Sequence, residues 1–168
     1  MINLVIIQNR FNMNILANGL HNSIAWPTPW NLISIHSDKE GVSGPLNSSR
    51  LYSFGMNKCL SLRFADVTGD EPFLHELKRL GRECVVFNEH HASAVVLFVD
   101  AIQDSPIKQT LVVHCDAGFS RSGAVGTYAA LRCGIALDRF NSVNPFLSPN
   151  VHVLATLKRV SGMVPIGS

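Results

Sequence analysis

An α/β fold, with a mostly parallel central sheet flanked by helices, is the architecture this chain predicts, and three observations carry it. Apolar runs rich in β-branched residues alternate with helical stripes along the chain, the pattern of strands joined by crossover helices. The stretch from Leu111 to Gly123, L-V-V-H-C-D-A-G-F-S-R-S-G, is an apolar run that stops at a cysteine, crosses small and polar residues and restarts at an arginine. It reads as strand, tight loop and helix N-terminus. Finally, 168 residues that are 46% hydrophobic supply one core, and no break in composition suggests two. The expectation is a single domain over residues 1–168.

Taken in order, N-L-V-I-I at 3–7 is a buried strand. The N-terminus that contains it is short, interrupted by Asn and without a basic leader or cleavage site, so it is expected as a strand and not a signal peptide. Phe11, Ile15 and Leu16 mark a short helix over 10–17. Pro27 and Pro29, with Trp26 and Trp30 as loop anchors, make an extended connection into a second strand over 32–35 that ends at His36-Ser37-Asp38. Residues 39–53, rich in Gly, Ser, Asn and Pro, read as a surface loop. A third strand alternates over 58–64, with Leu60, Leu62 and Phe64 opposite Cys59, Ser61 and Arg63. After the polar turn A-D-V-T-G-D-E-P, a helix over 72–80 sets Phe73, Leu74, Leu77 and Leu80 on one side and stops at Gly81. Ala92, Val95, Val96, Val99 and Ile102 give the clearest helical stripe, over 88–103, with Asn88 or Ser93 serving near its start. His90 and His91 are expected on its surface. The strand 110–114 then delivers Cys115, and the helix 121–133, with many small residues, ends at Gly134. A short helix near 137–140 and a last one after Ser148-Pro149-Asn150, with Val151, Leu154, Leu157 and Val160 inward, complete the chain.

Composition narrows the function. A formal charge of +2 and a pI near 8.4, with scattered lysines and arginines, give no footprint for nucleic acid. No apolar run approaches the roughly 20 residues that span a bilayer. Four cysteines (59, 84, 115 and 133) form no C-x-x-C pair and are too few for a disulfide framework, so reduced thiols and a cytoplasmic setting are expected. Cys59, Cys84 and Cys133 are read as packing residues. Neither a metal nor another cofactor is implied.

In a parallel sheet the ligand lies beyond the carboxyl ends of the strands, which sorts the acids. Asp104 precedes the cysteine strand and Asp138 follows its helix, so both belong at the far edge, while Asp100 lies inside a helix. Asp66 and Asp70 follow the third strand and Asp38 the second, so these three reach the near edge. Asp66, directly after a strand end, comes first; Asp70 and Asp38 are the alternatives.

The loop after Cys115 has its own chemistry. Consecutive N–H groups of Asp116, Ala117, Gly118, Phe119, Ser120 and Arg121 form a nest at the positive end of a helix dipole, suited to a phosphate-like oxyanion. A thiol in such a setting ionises readily, so Cys115 is expected to attack phosphorus while the planar Arg121 guanidinium grips two oxygens in a fork. A carboxylic acid over the pocket, Asp66, then protonates the leaving group and later activates water. Ser122 is placed to bond the cysteine sulfur as it leaves, and His114 to buttress the loop.

At these residues the chain resembles the cysteine-dependent protein tyrosine phosphatase superfamily, whose signature H-C-x-x-G-x-x-R-[S/T] is met at every fixed position by H-C-D-A-G-F-S-R-S. The late position of the loop is similar to the dual-specificity and classical branches. The segments at 33–36 and 60–67 and P-N-V-H-V-L near the end are similar to small bacterial or phage-type tyrosine phosphatases. The resemblance implies a phosphatase acting on a phosphorylated protein or peptide, with phosphotyrosine as substrate and, in the dual-specificity branch, phosphoserine or phosphothreonine as well. Asp66 lies 49 residues before Cys115, a longer spacing than in dual-specificity relatives, so the segment 72–87 would be an insertion. A loop with an acid and no lysine differs from relatives that act on inositol lipids. Phosphoinositides, RNA 5′-phosphates and a binding module without turnover are the alternative readings.

Overall fold

The computed structural model describes residues 1–18, 29–37, 46, 49–67, 71–81 and 84–163, apart from the side chains of residues 49, 50, 71, 73 and 77. Trp26, Asp38 and Asp70 therefore lie outside the described residues. Among the described residues four strands, β1 (Ile2–Asn9), β2 (Trp30–His36), β3 (Met56–Arg63) and β4 (Gln109–Cys115), form one sheet in the order β1-β4-β2-β3. Every pairing is parallel, with Asn9 opposite Cys115, Ser34 opposite His114 and His36 opposite Arg63. All four strands thus end at one edge of the sheet, and β4 occupies an interior position there.

Among the described residues seven helices connect and cover them: α1 (Arg10–Ala17), α2 (Ser49–Ser53), α3 (Glu71–Arg79), α4 (Glu89–Gln103), α5 (Arg121–Arg132), α6 (Leu137–Val143) and α7 (Val151–Val160). The alternation of a pleated strand divides the interior. Ile33, Ile35, Leu111, Val113 and Cys115 face the larger core with Val95, Val99 and Ile102 of α4, Val125 and Tyr128 of α5 and Leu157 of α7. Leu32 and Val112 face the smaller core with Met13 and Leu16 of α1. The mixed sequence of α/β units produces this two-sided burial, as a parallel sheet requires.

Several elements depart from the pattern read in the sequence. Trp30 opens β2 and is buried in the smaller core, its indole N–H donating to the Phe54 carbonyl at 2.9 Å. Residues 49–53, expected within an unstructured loop, form α2, and its Leu51 is fully buried. One apolar side chain in a single turn makes no periodic signal; packing holds that turn rather than propensity. Leu80, expected on the inner side of α3, is 55% exposed. In α7 the Asn150 cap fixes the phase so that Val153, Thr156 and Leu157 point inward, and Val151 is 70% exposed. His91 is no plain surface residue: its ring nitrogen accepts from the Asn88 N–H at 3.2 Å, closing a capping box at the start of α4. It also stacks on Phe87 with ring centroids 5.6 Å apart.

The small residues of α5 let it approach β1 closely. A Cβ at Gly126 would lie 2.3 Å from Ile7 Cδ1 and 3.3 Å from Phe140 Cζ. Gly126→Val is expected to lower unfolding stability by about 1–3 kcal/mol through overpacking, read as a reduced urea midpoint at unchanged slope; an unchanged midpoint would contradict this packing.

Candidate functional site

At the carboxyl edge of the sheet the chain leaves β4 at Cys115 and enters α5 at Arg121 six residues later. Gly118 makes that turn possible, with φ +81° and a position where a Cβ would sit 2.8 Å from the Asn9 backbone nitrogen and 2.9 Å from its Cα. Any side chain would push the loop off the end of β1. The Arg10 N–H donates to the Asp116 carbonyl at 3.2 Å, tying the same loop to the start of α1.

Cys115 is buried, and its Sγ lies 3.1 Å from Ser122 Oγ and 3.3 Å from the Gly118 N–H that donates to it. Arg121 is also buried, with Nη1 donating to the Phe64 carbonyl at 2.9 Å and Nη2 to Asp116 Oδ2 at 2.7 Å. Ser120 occupies the N-cap of α5 without making a side-chain cap bond. Its hydroxyl donates instead to Asp66 Oδ1 at 2.8 Å. The first-turn N–H groups of α5, which an N-cap serine ordinarily serves, receive nothing from it.

Asp66 therefore meets the loop across 54 residues of chain. Phe64, fully buried edge-on against Phe87 at a centroid distance of 4.8 Å, anchors the segment behind it. The Phe64 N–H continues the β2–β3 ladder to the His36 carbonyl at 3.1 Å, and the Ala65 N–H reaches the Val85 carbonyl at 2.7 Å. A second side chain holds the carboxylate: Asn150 Nδ2 donates to Asp66 Oδ1 at 2.9 Å and to the Val67 carbonyl at 3.3 Å. Asn150 Oδ1 accepts from the Val153 N–H at 3.1 Å, and its own N–H donates to the Ser120 carbonyl at 3.2 Å. Asn150 thus joins α7, the loop and the Asp66 segment. The sequence marks it only as a helix start; its second duty has no local signal.

His114 lies on the opposite face of β4 from Cys115, buried, with Nε2 2.8 Å from Ser34 Oγ in the neighbouring strand. Burial, reinforced by Arg10, pushes it down to about 4, so it is neutral near pH 7 and supports the strand end rather than carrying charge. Asp116 behaves differently. Burial would raise its carboxyl, but Arg121, Ser37 and Arg10 outweigh that and hold it below the ordinary aspartate range. Ser37 Oγ donates to Asp116 Oδ2 at 2.9 Å, so the end of β2 does reach the site.

The rim is apolar in part. Phe119, inside the loop, is 46% exposed, and Phe146 is 95% exposed with φ +67°, the one non-glycine residue with positive φ among the described residues. Its neighbourhood is attached to the loop through the Ser148 N–H, which donates to the Phe119 carbonyl at 3.3 Å. A bulky residue in this backbone region stores strain.

The structure brings Cys115, residues 116–120, Arg121, Ser122 and Asp66 together, with His114 behind them; Asp70 and Asp38 lie outside the described residues. Among the described residues no helix is long and apolar enough to cross a membrane.

No protein-family model matches the chain, nor does any curated protein. Solved structures do. A crystal structure of PTPMT1 aligns over 95% of this chain and 90% of its own, with a TM-score of 0.50 at 17% sequence identity. A structure of PTPMT1 in complex with PI(5)P aligns over the same shares at 0.49 and 16%. The human tyrosine phosphatase-like serine/threonine/tyrosine-interacting protein aligns over 79% of this chain and 76% of its own at 0.41 and 13%. The first of these establishes a shared fold, so the resemblance carried by the H-C-D-A-G-F-S-R-S segment extends to the architecture around it.

The buried imidazole of His114, with Arg10, Asp116 and His36 as its charged or titratable neighbours, gives stability a pH dependence. An unfolded histidine takes up a proton near 6.5, the folded one only near 4, so the unfolded chain binds more protons as pH falls through that window. Stability is then full above about pH 6.5 and falls by about 2 kcal/mol between pH 7 and pH 5 on account of this group. Urea unfolding of the wild type and His114→Gln at both pH values is expected to show the wild type losing that much more; equal losses would contradict the assignment.

Proposed function

We propose that the protein is a phosphomonoesterase that acts on phosphorylated tyrosine in proteins or peptides through a cysteinyl-phosphate intermediate. The observation that carries this reading is the buried Cys115 sulfur at the end of an interior parallel strand, 3.1 Å from Ser122 Oγ and 3.3 Å from the Gly118 nitrogen, with Arg121 buried at the other end of the same loop. In the first step Sγ of Cys115, as thiolate, forms a bond to phosphorus as the ester P–O bond breaks. The departing oxygen takes a proton from the Asp66 carboxyl group. In the second, a water oxygen attacks phosphorus, its proton goes to Asp66, and the P–S bond breaks to give phosphate. Ser122 donates to the departing thiolate.

Loop N–H groups and Arg121 offset the charge that develops on the equatorial oxygens. Asp66 accepts both of its bonds through Oδ1, which leaves Oδ2 for proton exchange. An aryl leaving group is favoured by Phe119 and by Phe146, a strained and exposed aromatic beside the loop. Dual activity toward phosphoserine and phosphothreonine follows if the rim is shallow.

Cys115→Ser is expected to reduce hydrolysis of an aryl phosphate to background, and Asp66→Asn to reduce kcat by about 10²–10⁴-fold, with the larger loss on the poorer leaving group. Steady-state assays with a nitroaryl phosphate and a phosphotyrosine peptide, in the presence of chelator, read both. Retained activity in Cys115→Ser would end this reading. Tight phosphopeptide binding by the wild type without turnover would favour a binding module, and faster turnover of phosphoinositides or RNA 5′-phosphates than of any peptide would change the substrate class.

A further inference from the structure

The arginine at the end of the loop is held on two sides by the protein itself. Nη1 donates to a backbone carbonyl, that of Phe64 at the end of β3, and Nη2 to the carboxylate of Asp116, the residue directly after the cysteine. Two fixed nitrogens define the plane of a guanidinium, whose geometry is rigid. The third nitrogen, Nε, is buried and has no partner among the described residues. Asp116 is itself restrained, because Ser37 Oγ shares its Oδ2 at 2.9 Å and Arg10 Nη1 stands 3.8 Å from its Oδ1. An anionic side chain next to an anion site costs binding free energy unless it returns something. Here its charge is shared between two arginines and a hydroxyl that draw it toward the ends of β1 and β2.

Resting on the phosphatase reading above, we propose that the Asp116 carboxylate is the positioning residue of the site: it holds the Arg121 guanidinium plane so that the Nε edge faces the oxyanion in the 115–121 loop. This role belongs to the side chain and is separate from any role of the Asp116 backbone N–H. It makes Ser37 and Arg10 supports of the same arginine, acting through Asp116.

Charge and positioning pull in opposite directions, which makes the proposal testable by binding alone. Removing a carboxylate beside an anion site should tighten anion binding if the carboxylate does nothing but repel. If it orients Arg121, removal should loosen binding. Titration of the purified full chain with orthovanadate, followed by calorimetry, is expected to show Asp116→Ala binding about 10- to 100-fold more weakly than wild type. Asp116→Asn, which keeps an acceptor for Arg121 and covers the case in which the alanine variant does not fold, is expected to bind no more tightly than wild type. In an Arg121→Lys background the Asp116→Ala change is expected to cost less than about threefold, because the group through which it acts is gone. Tighter vanadate binding by either Asp116 variant, or an undiminished loss in the Arg121→Lys background, would overturn the proposal while leaving the phosphatase reading intact. A folded wild type that neither binds vanadate nor hydrolyses an aryl phosphate would overturn both.

Discussion

Between Gly118 and the backbone of Asn9 there is no space for a side chain, and the loop that carries the chemistry depends on this contact. A Cβ would stand 2.8 Å from one backbone atom and 2.9 Å from the next, in a conformation with φ +81°. Because β1 pairs with β4 in a register that sets Asn9 opposite Cys115, the close approach locks the loop to the strand end beside it. The sulfur then lies under the Gly118 N–H, and Arg121 begins α5 at a fixed distance from the cysteine. Sheet register and loop curvature are one constraint here.

The same edge collects the rest of the site by strand order. β2 ends at His36 and supplies Ser37; β3 ends at Arg63 and supplies the Phe64 carbonyl and Asp66. Two carboxylates stand at this edge, each held by different partners. Asp116 is on the side of β1 and β2, where Arg10 and Ser37 share its charge, and Asp66 is held by Ser120 and Asn150. One carboxylate is kept ionised by its neighbours; the other is exposed and bound through a single oxygen. Groups of one chemical type are thus prepared for different work by their surroundings.

Much of this was legible in the residues. The cysteine-to-arginine segment identifies itself by residue type and spacing, and the rule that ligands sit beyond carboxyl strand ends was enough to rank Asp66 first among scattered acids, where it proves to touch the loop. What escaped has physical reasons. Leu51 is one apolar residue in a segment of polar and turn-forming ones, so its burial leaves no periodic trace. Asn150 does two things with one amide, and only the helix cap is a local pattern. The contact between Asp116 and Arg121 depends on how the loop backbone directs a side chain, which spacing does not encode. His91 looked like helix surface because its partners, Phe64 and Phe87, come from other segments.

The central claim is that the segment from Cys115 to Arg121 holds a phosphoryl group against the cysteine sulfur, and a crystal structure of the protein soaked in orthovanadate tests it most directly. The account predicts vanadium bonded to Sγ of Cys115, its equatorial oxygens on the loop N–H groups and on Arg121, and Asp66 toward the apical oxygen. Vanadate bound elsewhere on an intact fold, with the loop and Arg121 untouched, would contradict it.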